Sequence, residues 1–188
     1  MANILPFDEL NRFDSEVRER FGKDKLQKRD KREKEDIIDE LLDLFLLAYA
    51  MGNSVTNDDL SSDYTPSVDE VMDVVDARVA GKTWRERVED YFSNGGTGED
   101  IARIADTETH RIANQAAYET AKAAGATEKT WHCMMLPTSR DTHIYLDGVT
   151  APIDGEFYSF KGGKTQFPGQ WGIAEEDVNC LCWLSFGK

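Results

Sequence analysis

At Gly125 the chain changes texture, and that change limits the folds open to it. Before it, apolar residues recur at helical spacing. After it, Gly148, Pro152, Gly155, Gly162, Gly163, Pro168, Gly169 and Gly172 break the chain between two short strand-like runs, residues 130–135 and 180–186. A segment with so many turns loses conformational entropy on folding without the ladder hydrogen bonds of a large sheet, so something else must order it. Phe157, Tyr158, Phe160, Phe167, Trp171 and Trp183 supply large side chains for that purpose. The pattern predicts an α+β chain: a helical N-terminal half and a small, loop-rich α+β C-terminal domain.

Within the helical half, Ile37, Ile38, Leu41, Leu42, Phe45 and Leu46 repeat at helical spacing, and Leu44 and Leu47 broaden the stripe. They predict a long helix over 26–51 with Gly52 as its C-cap, followed by a polar loop over 53–65. Ser67 with Glu70 three residues on is a capping-box start for a helix over 67–80, carrying Val68, Val71, Val75 and Val79 on one face and stopped by Gly81. A short helix over 83–92 precedes the glycine-rich break at 94–98. Residues 100–124 form the strongest helical pattern, with Ile101, Ile104, Ala105, Ile112, Ala116 and Ala121 making a narrow face suited to close packing. Residues 1–25 are polar with scattered Leu5, Phe7, Leu10 and Phe13, and predict an arm or short helix. The expected organisation is a helical arm or extension over 1–80 and a domain over 81–188, helical to about 124 and turn-rich after.

Charge narrows the partners. The 188 residues hold 22 Lys and Arg against 36 Asp and Glu, a net charge of −14, which leaves at most weak contact with nucleic acid. The one dense basic run, 23–34, is interleaved with Asp24, Asp30 and Glu33, a pattern of solvated helix faces laced with ion pairs. The opening residues carry Asp8, Glu9, Asp14, Glu16 and Glu19 and no apolar core, so no secretory signal is expected. The longest oily stretch, 37–50, is interrupted by Asp39, Glu40 and Asp43, and no membrane partner is predicted. Three cysteines in such a chain point to reduced thiols or a metal, and to the cytoplasm.

The tail holds the one cluster of ligand-type residues: His132, Cys133, Asp141, His143, Cys180 and Cys182. Cys180 and Cys182 are two apart, so on an extended segment both sulfurs project to the same side. With His143 they would give three ligands of the kind zinc takes, and Asp141, Cys133 or His132 could be the fourth. The alternative is that both cysteines are small buried hydrophobes and His143 hydrogen-bonds a turn. His132 beside Cys133 is no dyad, because neighbouring side chains on a strand point apart. Asp141, Asp147, Asp154 and Glu156 sit in turn contexts that favour capping roles. No catalytic residue and no organic cofactor is predicted; zinc is the one candidate.

Several segments, in order, resemble one family. They are Gly81-Lys82-Thr83-Trp84-Arg85-Glu86-Arg87, then Thr107-Glu108-Thr109-His110-Arg111 with Asn114, then Trp131. Ser139-Arg140-Asp141-Thr142-His143, Leu146-Asp147-Gly148, Pro152-Ile153-Asp154, Phe157, Pro168-Gly169 and Asn179-Cys180-Leu181-Cys182 follow. Together they are similar to the Mu F-like phage head morphogenesis proteins. Leu181 stands where the family's closing motif commonly has Arg. Some relatives carry Cys-x-x-Cys ahead of the Leu-Asp-Gly, where this chain keeps only His143. The resemblance implies a non-enzymatic minor capsid protein of the virion, made in the host cytoplasm. It would contact the portal protein and other head proteins, supporting DNA packaging or ejection. The alternatives are a toxin-like or metal-dependent enzyme module (an ADP-ribosyl transferase or hydrolase), or a DNA-binding factor at the portal. Glu108, Arg111 and Asn114, spaced by three, are expected to form a structural polar set that bonds into the C-terminal half.

Overall fold

The computed structural model describes residues 7–20 and 25–188, with side chains from residue 11 onward. Leu5, Asp24, the start of the basic run at 23 and the side chains of Phe7, Asp8, Glu9 and Leu10 lie outside the described residues. The first helix, α1 (Phe7–Arg20), buries Phe13 and Val17 and lies against α5 (Gly98–Ala123), so this segment is a packed helix and not a free arm. A single 3-10 turn at Leu26–Lys28 buries Leu26 and ties its N–H to the Gly96 carbonyl at 2.8 Å. The charged run around it does form ion pairs, Arg29 with Glu33 and Lys31 with Glu35, each at 3.3 Å.

The long helix α2 (Lys31–Leu60) starts on an Asp30/Glu33 capping box and ends at Ser61, which takes the left-handed conformation with φ 51°. Gly52 therefore does not end it, and residues 53–60 are helix, not loop. Gly52 sits where α2 crosses α5: a Cβ there would lie 2.3 Å from the Ala113 carbonyl oxygen. Beyond it, the Asn53 amide donates to Thr120 Oγ1 at 2.8 Å and the Asn57 amide to the Tyr64 carbonyl at 2.8 Å. These tertiary partners outweigh the loop tendency of a Ser/Asp/Asn-rich sequence.

The helix α3 (Val68–Val75) keeps its Ser67/Glu70 capping box but stops early. Val79 and Lys82 exchange hydrogen bonds across a turn at Gly81, and Val68 is exposed while Val74 and Val75 are buried. The helix α4 (Trp84–Asn94) is capped by Thr83 and Glu86 and closed by left-handed Gly95. All six small-face residues named for α5 are buried. That helix is the spine: its first half lies in a core with Phe13, Ile37, Leu41, Phe45, Trp84 and Val88, and Tyr118 near its end enters a second core. Helices from both sides of residue 80 share the first core.

The second core belongs to the turn-rich part. Strand β1 (Glu128–His132) pairs antiparallel with β2 (Thr150–Pro152) on one side and β5 (Trp183–Gly187) on the other. Between β1 and β2 lies α6 (Asp141–Leu146); a hairpin of β3 (Phe157–Tyr158) and β4 (Lys164–Thr165) and the short α7 (Ala174–Asp177) complete it. The first strand ends sooner than its apolar run suggests, with Met135 already at φ 52°. Trp131, Phe157, Phe167, Trp171 and Leu184 fill the space between sheet and loops. The chain is α+β, and among the described residues no helix is long and apolar enough to cross a membrane.

Candidate metal centre

Two separate segments of the tail converge on one buried point. His143 comes from the middle of α6, which forms where a turn was expected. Cys180 and Cys182 come from the stretch just before β5, so they precede the final strand instead of lying in it. Asn179 turns the chain there with φ 56°, and the Cys180 N–H bonds the Asp177 carbonyl at 3.2 Å. From this turn Cys180 and Cys182 both point inward while Leu181 stays half-buried. The two sulfurs stand 3.6 and 3.4 Å from His143 Nδ1. All three ligand atoms lie within 4.8 Å of one another, and all three residues are buried.

The surrounding backbone is pinned by side chains whose roles are structural. Asp177 accepts the N–H groups of Trp171 and Gly172 at 2.7 and 2.9 Å, and burial pushes its carboxyl up to about 6 against those donors. The Arg140 guanidinium donates to the Val178 carbonyl, and the Asn114 amide donates to the Cys182 carbonyl at 3.0 Å. Trp131 meets the imidazole edge-on at 5.7 Å between centroids, and Trp171 stacks along it at 6.2 Å.

Behind the ring, His143 Nε2 stands 3.2 Å from Glu176 Oε2, and the Ser159 hydroxyl donates to Glu176 Oε1. The thiols are unequal. Cys180 is the more acidic, drawn well below the usual thiol range by the Cys182 hydrogen bond and then by His143, against burial; Cys182 is pushed up by that same hydrogen bond and by burial.

None of the three residues considered for a fourth ligand joins this cluster. His132 turns away, its Nε2 2.7 Å from Ser185 Oγ and its ring stacked on Trp183. Asp141 is exposed at the start of α6. Cys133 is buried nearby, with its N–H on Asp147 Oδ1 at 2.8 Å, a link across 14 positions where a local capping role was expected of that carboxylate. The residue that sequence reasoning missed is Glu176. It lies in the acidic triplet Glu175-Glu176-Asp177, where nothing local separates a buried acid from a solvated one.

The polar set on α5 divides instead of bonding as one unit into the tail. Glu108 accepts from Arg87 of α4 and from Arg111 Nε, the latter at 2.7 Å; Arg111 donates to the Val74 and Val75 carbonyls at 2.9 and 3.4 Å. Both are fully buried. Burial would raise the Glu108 carboxyl, but the Arg111 and Arg87 guanidiniums outweigh it and hold it below the usual range. Only Asn114 reaches the C-terminal half. A step of three residues advances about 300° round a helix, so each member is turned about 60° from the last. Glu108 and Arg111 consequently face α3 and α4, and Asn114 faces the residue before β5.

A family model described as Phage Mu protein F like protein matches residues 53–185, a span that contains the C-terminal end of α2, all of α5 and the His143–Cys180–Cys182 cluster. The chain is 31% identical over 148 residues to NAD(+)–arginine ADP-ribosyltransferase EFV of Enterococcus faecalis (strain ATCC 700802 / V583), covering 61% of this chain and 30% of that protein. It is 33% identical over 85 residues to Minor head protein GP7 of Bacillus phage SPP1, covering 44% of this chain and 28% of that protein. The chain thus spans less than a third of the length of either relative. No solved structure matches it.

Proposed function

The chain belongs to the phage Mu protein F like family, and we propose that it serves in the phage head as a minor capsid protein that contacts the portal and neighbouring head proteins. The observation that carries this reading is the family match over 53–185, joined by the likeness to a minor head protein. The role is structural: the chain holds its place in the virion and supports packaging or ejection of DNA, after assembly in the host cytoplasm. A net charge of −14 keeps any direct grip on DNA weak, so the effect on DNA runs through protein contacts. Exposed Ile144, Tyr145, Tyr158 and Phe160 on the tail fit a protein-facing surface, with the Tyr145 and Phe160 rings 5.2 Å apart.

The test is removal of residues 126–188 from the phage. Heads are expected to assemble while infectivity falls, because the shell itself is built by other proteins. Purified particles with normal infectivity and normal DNA content would contradict the proposal.

The likeness to a protein named as an ADP-ribosyltransferase raises a second reading, in which this chain modifies arginine with NAD+. The overlap covers 30% of that protein, which fits a module shared between a head protein and a longer chain. Transfer of labelled ADP-ribose from NAD+ to arginine by the purified protein would favour the enzyme. No transfer is expected.

A further inference from the structure

We propose that His143 Nδ1, Cys180 Sγ and Cys182 Sγ bind one zinc ion, with Glu176 holding the imidazole from behind and a water in the fourth position. Four observations converge on it. First, the spacing fits. Zn–S bonds of about 2.3 Å and Zn–N bonds of about 2.0–2.1 Å at tetrahedral angles place nitrogen and sulfur about 3.6 Å apart; here the separations are 3.6 and 3.4 Å.

Second, two sulfurs converge on a single ring nitrogen. That nitrogen has one lone pair or one proton, so it can serve one sulfur in line and not both, which leaves the other sulfur to the Cys180–Cys182 hydrogen bond alone. A cation between the three atoms serves all of them. Third, the other ring nitrogen faces a carboxylate. A metal-binding histidine commonly gives its second N–H to a carboxylate, which fixes the tautomer and aims the free lone pair at the metal. Glu176 stands on that side of the ring, Oε2 3.2 Å from Nε2 though off the line of the N–H, so a small turn of either side chain completes the bond.

Fourth, the local charge asks for a cation. Glu176 is buried, Oε2 has no in-line hydrogen-bond donor among the described residues, and no Lys or Arg there pairs with it. A buried carboxylate with no Lys or Arg partner needs the imidazole N–H beside it, and a cation on the far side of that ring strengthens this donor.

The fourth position follows from the open side of the cluster. His143 and Cys182 also line a cleft that holds about 40 Å³ of space for water, together with Cys133, Ser139, Arg140 and Asn179. That is room for at least one water. Two thiolates, one histidine and one exchangeable position make a site that is closed to bulk solvent on the protein side and reachable from the cleft.

The full chain, expressed with zinc and desalted, should retain about one equivalent of the metal. Cobalt(II) in its place should give near-ultraviolet thiolate absorption, cut to about half by Cys180→Ser or Cys182→Ser and unchanged by Cys133→Ser. Glu176→Gln should keep the spectrum and weaken binding about 10–100-fold. Folded wild-type protein that retains no zinc and shows no cobalt–thiolate absorption overturns the site. Loss of a third sulfur's absorption in Cys133→Ser overturns the water assignment, and unchanged affinity in Glu176→Gln overturns the role given to that carboxylate.

Discussion

The side-chain amide of Asn114 donates to the main-chain carbonyl of Cys182 at 3.0 Å, fastening the spine helix to the segment that delivers both thiols. The same Nδ2 also donates to the His110 carbonyl one turn back on α5, so one nitrogen ties both carbonyls together. Asn114→Ala would leave the buried Cys182 carbonyl without this donor. The expected cost is about 1–3 kcal/mol, read as a lowered urea midpoint with an unchanged slope. An unaltered midpoint would show that the bond contributes nothing to holding the two cores together.

The Glu108–Arg111 pair predicts a larger effect. Arg111 has no exposed side-chain surface, and its guanidinium serves Glu108, Gln115 and the open carbonyls at the end of α3. Arg111→Ala removes all of these together and strands a buried carboxylate with Arg87 alone. The expected loss is about 3–5 kcal/mol. Arg111→Met combined with Glu108→Leu should cost less than Arg111→Ala, because no buried carboxylate is stranded and the half-buried Arg87 keeps access to solvent. Thermal unfolding of the three proteins checks the order, and the reverse ranking would contradict it.

Parts of this arrangement were legible in the residues alone. The α5 helix could be read because its apolar period is long and Gly125 closes it. The cap at Ser67 could be read for the same local reason, since a capping box is complete within four residues, and the matching box at Thr83 and Glu86 went unread. Cys180, Cys182 and His143 stood out as the residues whose chemistry suits one ion, and they do meet. Glu176 did not stand out, because its burial depends on Ser159 and His143, 17 and 33 positions away in the chain. The end of α2 was misplaced because Gly52 has two readings, cap or close approach, and only the crossing with Ala113 decides between them. The direction of Glu108 and Arg111 was misjudged because three-residue spacing fixes a face but not which neighbour that face meets.

Gly52 yields its own test. The Ala113 carbonyl is rigid backbone within a helix, so an added methyl group at 2.3 Å cannot be met by a side-chain adjustment. Gly52→Ala must push α2 and α5 apart, despite alanine's better helix propensity of about 1 kcal/mol. Net destabilisation of about 1–3 kcal/mol or more is expected, measured by denaturant unfolding. A gain in stability would mean the helices are not in this contact.

Lys129 offers a prediction with a pH signature. It is the second residue of β1 with no exposed surface, and its Nζ has no hydrogen-bond partner among the described residues. The ammonium is left with the faces of Tyr118 and Phe157, 4.6 and 5.6 Å from their centroids. Such contacts are worth about 0.5–2 kcal/mol, and they do not replace lost hydration. Burial pushes the amine down from 10.5 to about 8. Between those two values the unfolded chain holds a proton that the folded chain has released, so stability rises with pH through that window. Below about pH 8 the folded protein carries the charge inside, and the full penalty is present at neutrality. Lys129→Met keeps the length and removes the charge. It should therefore stabilise the protein at pH 7, on the order of 1–3 kcal/mol, and the advantage should shrink as pH approaches 10. Urea midpoints of both proteins at the two pH values measure this. A Lys129→Met protein that is less stable at pH 7 would mean that the aromatic contacts outweigh desolvation, and the argument would fail.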